Sequence, residues 1–208
     1  MADDYQDLGS YERFPLLPNW ASPPDSNYLM ARWLVNMAGT VDTLKSITDN
    51  SPIIFESTFT ITDKQEEYDL LDFFYNRRGR HGKFWIQHPA TCFTLKKTAN
   101  LGGLEISCYP NRAQLSYQGY ERIYVYMSNG DIITREIPNV TYDAVDDELD
   151  LELVTALDRD ITTDNCVMIG RMLLVRFEDD SMEFESHTSE VTEVTLRFHE
   201  LVEEYDDV

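Results

Sequence analysis

The sequence has few cysteines, few basic residues and no long hydrophobic run. Its three cysteines, Cys92, Cys108 and Cys166, are far apart and form no CxxC or CxxH spacing. This argues against a disulfide framework and against a structural zinc site. No apolar run approaches the roughly 18 residues of a transmembrane helix, and the first residues lack the basic and apolar regions of a signal peptide. We therefore expect a soluble protein that is made in a reducing compartment and has no membrane partner.

Basic residues are scarce relative to acidic ones. The 208 residues include 17 Lys+Arg against 38 Asp+Glu, a formal net charge of −21. Such a charge argues against a surface that coats nucleic acid and against docking on anionic lipid. Residues 141–208 alone contain 4 basic and 21 acidic residues. This excess predicts a solvated face, the lumen of an assembly or a contact with a basic partner, and the sequence leaves these three readings open.

The first 52 residues are rich in proline and resemble neither a helix nor a central strand. Residues 14–20 are apolar, but Pro15 and Pro18 interrupt them, and proline suits neither element interior. We expect an extended arm that packs over its own domain or reaches onto a neighbouring subunit. If it reaches a neighbour, the candidate contact residues in the arm are Phe14, Leu16, Leu17 and Trp20.

One helix is predicted, directly after the first long strand. From Ile53 to Ile61 apolar and polar residues alternate, which indicates a strand with one buried face. Asp63 then stands as a helix N-cap with Glu66 placed for a reciprocal capping box. Tyr68, Leu71, Phe74 and Tyr75 follow as an apolar stripe at helical spacing, with Leu70 beside it, and the helix is expected to end near residues 77–79.

The rest of the chain reads as short strands. Asn129-Gly130 lies between two β-rich runs, which predicts a hairpin with a type I′ turn. Short strands are also expected at residues 84–86 and 92–95, split by Pro89, and at residues 113–117. The fold class is therefore mainly β, an antiparallel β-barrel or sandwich with one helix inserted after the first long strand. We divide the chain into an arm (1–52), a strand–helix–strand part (53–110) and an acidic β-rich part (111–208).

No motif predicts catalysis, a metal site or a cofactor. The sequence lacks a nucleophile elbow, a phosphate-binding glycine loop and histidines at metal-ligand spacing. Acidic residues crowd one turn and the strand after it, which we interpret as a solvated edge or a weak cation site. No pair of carboxylates is recognisable as a glycosidase pair. The crowded residues are Asp146, Asp147, Glu148, Asp150 and Glu152.

The one concentrated basic feature lies at the predicted helix C-terminus. Cations there are favoured by the partial negative charge of the last carbonyl groups. The alternative is a contact with carboxylates of a neighbouring copy, as in head-to-tail association. Both interpretations stay open. The residues are Arg77, Arg78, Arg80, His81 and Lys83.

Residues 59–89 carry a family resemblance. Phe-Thr-Ile-Thr-Asp at 59–63, Leu-Asp-Phe-Phe at 71–74, Arg-Gly at 78–79, His-Gly at 81–82 and Phe-Trp-Ile at 84–86 precede Pro89. This run resembles the minor tail or distal tail proteins of long-tailed, lambda-like bacteriophages, the ring-forming subunits between tail tube and tail tip. The Phe-Pro-Leu-Leu-Pro-Asn-Trp opening at 14–20 is similar to phage tail-tip proteins.

The resemblance implies a non-enzymatic structural protein of the virion tail tip, assembled in the bacterial cytoplasm. It would form a closed ring, usually of six copies and alternatively of three. Its partners would be the tail tube protein, the tape-measure protein and a tail hub or tip protein. DNA would only pass through the lumen, and carboxylates lining that channel would repel its phosphates.

The sequence leaves two other functions as alternatives. A monomeric β-sandwich carbohydrate-binding module would use exposed aromatic rings as stacking platforms, although core packing explains most of these rings equally well. A tail-tip glycan hydrolase would need a carboxylate pair that the sequence does not display. The candidate stacking residues are Trp20, Trp33, Trp85, Tyr117, Tyr120, Tyr124 and Tyr126.

Overall fold

The structure, a computed structural model, describes residues 4–5, 11–17, 25–28, 32–35, 43–46, 53–110, 122–187 and 191–201. This described part is mainly β, and antiparallel pairing predominates. One α-helix, α1 (Lys64–Arg77), follows the first long strand, so the predicted fold class is confirmed. Among the described residues, no helix is both long enough and apolar enough to cross a membrane. The strands are β1 (Asp4–Tyr5), β2 (Asp25–Tyr28), β3 (Arg32–Val35), β4 (Thr43–Ser46), β5 (Ile53–Ile61), β6 (Phe84–Phe93), β7 (Glu105–Cys108), β8 (Arg122–Met127), β9 (Ile132–Glu136), β10 (Asn139–Asp143), β11 (Glu148–Glu152), β12 (Cys166–Phe177), β13 (Phe184–Ser186) and β14 (Thr192–Glu200).

Two compact units make up the chain, and neither is one continuous stretch of sequence. The first unit combines residues 1–20 with 84–173, and the second combines 21–83 with 174–207. Strand β12 therefore supplies residues to both. The sequence-based division at residues 52 and 110 follows chain order instead, and it stays a prediction.

The first unit contains two sheets around one core. Strand β8 pairs with β9 and with β12 in antiparallel fashion, and β1 pairs with β9 in parallel. A separate three-stranded antiparallel sheet has the order β10–β11–β7. Ile106 and Leu151 from this small sheet pack with Ile123, Val125 and Ile169 from β8 and β12. Burial of these aliphatic side chains stabilises the unit, at roughly 25 cal/mol per Å² of apolar surface.

One expected strand break in the first unit is corrected by the structure. The predicted break at Pro89 does not occur, because β6 runs without interruption from Phe84 to Phe93. A proline is tolerated in a strand wherever its missing N–H is not required for pairing. The predicted strand at 113–117 lies outside the described residues.

The β8–β9 hairpin is confirmed, but its turn is not type I′. That type requires positive φ at both Asn129 and Gly130. Gly130 has φ 89°, whereas Asn129 is not among the described non-glycine residues with positive φ. The Gly130 N–H donates to the Met127 carbonyl and the Met127 N–H donates to the Asp131 carbonyl, each at 2.9 Å. This is a three-residue loop with glycine in the left-handed position, and the Asn129 side chain bonds Asp131 instead.

The second unit is built on β5, which lies between β2 and β14. Phe55 and Phe59 are buried on one face of β5, as the alternation predicts. Their rings lie 5.2 and 6.1 Å from that of Phe198 on β14, and Phe198 lies 5.8 Å from Phe177 at the end of β12. Such aromatic pairs contribute about 0.5–1.5 kcal/mol each beyond the buried area. The hairpin β3–β4 also belongs to this unit.

Helix α1 begins as predicted, with one change in its capping bonds. The Asp63 carboxylate accepts a hydrogen bond from the Gln65 N–H at 2.9 Å. The Glu66 carboxylate accepts from the Thr62 N–H at 3.4 Å and not from that of the cap residue. The first-turn donors are thus satisfied locally, although the box is displaced by one residue.

The buried face of α1 differs from the predicted stripe. Leu70, Phe73 and Phe74 are buried, and the Phe74 ring packs 4.9 Å from that of Phe177. Tyr68 and Tyr75 are instead 59% and 72% exposed. Phe73 and Phe74 both contact Phe177 in the second unit's core, and these contacts determine which face of α1 is buried. Both tyrosines therefore face solvent.

Candidate functional site

The basic segment, residues 77–83, begins at the last residue of α1 and continues through two successive residues with a left-handed backbone. Arg78 has φ 55° and Gly79 has φ 58°. The Arg78 N–H donates to the Tyr75 carbonyl at 3.0 Å, which ends the helix. A non-glycine residue rarely adopts this conformation, so surrounding contacts must hold the turn in place.

Two glycines and one carboxylate hold the basic segment. The Arg80 N–H donates to Oδ1 of Asp180 at 3.1 Å. A Cβ at Gly79 would lie 2.8 Å from that oxygen and 3.4 Å from the Asp180 Cα. The Gly82 N–H donates to the Arg77 carbonyl at 2.8 Å, and a Cβ at Gly82 would lie 2.7 Å from the Arg77 Cα. Neither position has room for a side chain, so the backbone of the turn is fixed.

The cations of the basic segment fall into two groups. The Arg77 guanidinium lies 5.1 Å from the centre of the Phe73 ring and donates to the Lys83 carbonyl at 3.5 Å. Arg78, Arg80 and His81 have exposed side chains, and within the described part of the chain none of the three forms an ion pair. Arg77 therefore serves the helix terminus and Lys83 is half-buried, whereas Arg78, Arg80 and His81 remain available to a partner.

An aromatic stripe on α1 adjoins the basic segment. Tyr68, Leu71 and Tyr75 are spaced three or four residues apart within α1 and share one helix face, and Arg78 is the left-handed residue directly after the helix. Both tyrosines are exposed and Leu71 is half-buried. Sequence reasoning assigned these tyrosines to the apolar stripe and did not propose them as contact residues. An exposed pair of rings beside unpaired cations is typical of a protein-binding surface.

The predicted contact residues of the N-terminal arm are mostly enclosed by their own chain. The Phe14 N–H donates to the Trp85 carbonyl at 2.7 Å. The Phe14 ring is 1% exposed and stacks 5.7 Å from that of Phe84. Leu16 is buried too, and Leu17 is 39% exposed. Trp20 lies outside the described residues. Residues 11–17 thus pack over the chain's own first unit, and of the three predicted arm contacts that the structure describes, Leu17 alone faces solvent.

The acidic turn between β10 and β11 is partly neutralised by two lysines. Carboxylate oxygens of Asp143, Asp146 and Glu148 lie within 4.8 Å of one another. Lys97 Nζ lies 2.6 Å from Oε1 of Glu148 and 3.6 Å from Oδ2 of Asp146. Lys96 Nζ lies 3.5 Å from Oε2 of Glu148 and also donates to the Asp146 carbonyl. Since ammonium groups already occupy this cluster, a metal ion would have to compete with them.

The aromatic residues suggested as sugar platforms are largely buried where the structure describes them. Trp85 and Tyr124 are 0% exposed, and Tyr126 is half-buried. A ring that is fully enclosed offers no face for stacking. The side chains of the remaining candidates, Trp20, Trp33, Tyr117 and Tyr120, lie outside the described part of the structure.

In comparisons with known proteins, no family model and no curated protein matches this chain. Function must therefore be inferred from the chain's own residues, and the basic segment with its aromatic stripe is the surface best suited to binding.

Proposed function

We propose that this chain is a non-catalytic structural subunit that assembles with copies of itself into a ring at the tail tip of a long-tailed bacteriophage. The observation that carries the proposal is the basic segment. Two arginines that form no ion pair among the described residues, Arg78 and Arg80, are held on a fixed turn beside the exposed His81, in a chain of net charge −21. Such a feature attracts an acidic surface, and the chain itself supplies many acidic residues.

The element order around the basic segment also supports the proposal. Residues 59–89 form the end of β5, the helix α1, a glycine-containing turn and the start of β6. This succession of strand, helix, turn and aromatic strand is the one on which the resemblance to distal tail proteins depends. Partners of the ring would be a tail tube protein, a tape-measure protein and a hub protein, with DNA passing through the lumen.

Light scattering of the purified chain tests self-assembly. We expect a hexamer or a trimer at low salt that dissociates as salt is raised, because exposed charge pairs are screened. Negative-stain images of the low-salt sample are expected to show rings with a central opening. A chain that stays monomeric at its highest soluble concentration in low salt would contradict the proposal, and glycan binding by that monomer would favour the carbohydrate-binding alternative.

A matched pair of variants links assembly to the basic segment. The double substitution R78Q/R80Q removes two exposed cations from the basic segment and is expected to weaken association. K64Q/R197Q removes two cations from elsewhere on the second unit, where each already pairs with a glutamate. The net charge change is identical, so an equal loss of assembly in both variants would argue against a specific role for the basic segment.

A further inference from the structure

The three-stranded sheet β10–β11–β7 has one apolar face and one acidic face. Leu149 and Leu151 of β11 are buried in the first unit's core. Because side chains alternate along a strand, Glu148, Asp150 and Glu152 lie on the opposite face. We call this opposite face the acidic sheet face.

The register of the neighbouring strands completes the acidic sheet face. Leu151 pairs with Ile106 of β7 on the core side, so Glu105 and Ser107 share the outer side with the β11 carboxylates. On β10, the residues opposite Glu148, Asp150 and Glu152 complete the same side. No lysine or arginine of these three strands lies on it. Its residues are Glu105, Ser107, Asn139, Thr141, Asp143, Glu148, Asp150 and Glu152.

Among the described residues, ion pairs with lysine neutralise the acidic sheet face at one end only. Glu148 is neutralised there by Lys96 and Lys97. At the other end Glu105 lies directly opposite Glu152 in the register, and both are exposed. Neither forms an ion pair with any residue that the structure describes.

Like charges directly opposite on neighbouring strands are destabilising. Between the two ends, Oδ1 of Asp150 is buried and receives no hydrogen bond from the described part of the chain. A partner that brings positive charge and hydrogen-bond donors would therefore stabilise the end of the face at Glu105 and Glu152.

We propose that the acidic sheet face receives the basic segment of a second copy of this chain, with Arg78 and Arg80 binding Glu105 and Glu152. Carboxylates opposite one another on neighbouring strands are about 5 Å apart at their Cβ atoms. A guanidinium presents several donors in a planar fork and binds such groups in bidentate fashion. The inference rests on the proposed self-assembly and adds the receiving surface to it. Because each copy offers one basic segment and one acidic sheet face, the contact is head-to-tail and closes into a ring if the rotation permits.

Charge reversal on both sides tests the contact by light scattering or sedimentation equilibrium. E105R/E152R and R78E/R80E are each expected to raise the dissociation constant by at least about tenfold. The fourfold variant, which carries both exchanges, is expected to recover association because the charges are complementary again. In an equimolar mixture of the two double variants both contacts between unlike copies are complementary, so alternating assemblies are expected although neither variant associates well alone.

Controls separate this inference from general charge effects and from misfolding. D164R/E183R makes the same charge change at two exposed residues outside both surfaces, and it is expected to assemble like the wild type. The single variant E105R places an arginine opposite Glu152, so it is expected to melt at a higher temperature while associating more weakly.

The possible failures are distinguishable. If the wild type does not assemble, the proposed function fails and this inference fails with it. If the wild type assembles and E105R/E152R assembles equally well, the acidic sheet face is not the receiving surface, although self-assembly stands. Failure of the fourfold variant to recover, or an equal loss in D164R/E183R, would also overturn the pairing proposed here.

Discussion

The carboxylate of Asp180 accepts a hydrogen bond from the backbone N–H of Arg80, at 3.1 Å, across 100 positions of sequence. The same oxygen fills the space that a side chain at Gly79 would need. Asp180 therefore fixes the backbone of the basic segment while leaving the Arg80 side chain exposed. A single acidic residue thus holds the backbone from which the Arg80 side chain extends into solvent.

Replacing Asp180 should loosen the basic segment. We expect D180A to lower the free energy of unfolding by about 1–3 kcal/mol, because one charged hydrogen bond is lost. D180N keeps an oxygen acceptor at Oδ1 and should lose less. Urea denaturation measures both, and light scattering should show weaker association for D180A. D179A, at the neighbouring exposed residue, is the control; an equal effect there would argue against a specific bond.

Neighbouring residues of α1 should respond in opposite ways. Phe74 is buried against Phe177, so F74A is expected to cost about 3–5 kcal/mol of unfolding free energy. Tyr75 is 72% exposed, so Y75A should change stability by no more than about 0.5 kcal/mol. Denaturant unfolding compares the two. If Tyr75 contributes to the subunit contact, Y75A should weaken association without destabilising the chain; a large loss of stability in Y75A would contradict the observed rotation of α1.

The start of α1 was predictable because its signal is local. Asp63 and Glu66 satisfy the first N–H groups within a few residues, and no distant contact is required. The face of the helix was not predictable, because tyrosine suits both water and a core, and the choice was made by Phe177 about 100 residues away. The type of the Asn129-Gly130 turn was not predictable either. The dipeptide fits a type I′ turn, with positive φ at both residues, and equally a three-residue loop, with positive φ at Gly130 alone.

Of the two candidate surfaces, the basic segment was predictable from the sequence and the acidic sheet face was not. The basic segment is contiguous in sequence, so its residues were identified from composition alone. The acidic sheet face was not, because Glu105 and Glu152 become neighbours only through the register of β7 with β11. Sequence reasoning did note the acidic crowding after residue 145, but it had no means of joining Glu105 to it.

A close cross-strand contact in the first unit predicts strong coupling between two residues. Gly170 pairs with Tyr124, and a Cβ at Gly170 would lie 2.5 Å from Cζ and Oη of that ring. G170A is therefore expected to cost about 1–3 kcal/mol of stability through overpacking. In the double variant G170A/Y124L the shorter side chain relieves the clash, so the total cost should be less than the sum by about 0.5–3 kcal/mol. Simple additivity in a urea-denaturation cycle would refute the contact.

The buried histidine of β6 predicts how stability depends on pH. Burial, with a smaller contribution from the nearby Arg171, lowers the pKa of His88 from its ordinary value of 6.5 to about 4. As the pH falls below 6.5 the unfolded chain takes up a proton there while the folded chain does not. The contribution of His88 is therefore complete above pH 6.5 and is lost progressively down to pH 4, by about 3 kcal/mol in all.

Substitution isolates that contribution from the titration of the many carboxylates. H88Q keeps a buried side chain of similar size without an ionisable group, so its stability should fall less than that of the wild type between pH 6.5 and pH 4. Chemical denaturation at pH steps across this range provides the measurement. Parallel curves for H88Q and the wild type would mean that His88 is as easily protonated in the folded chain as in the unfolded one, which its burial in β6 opposes.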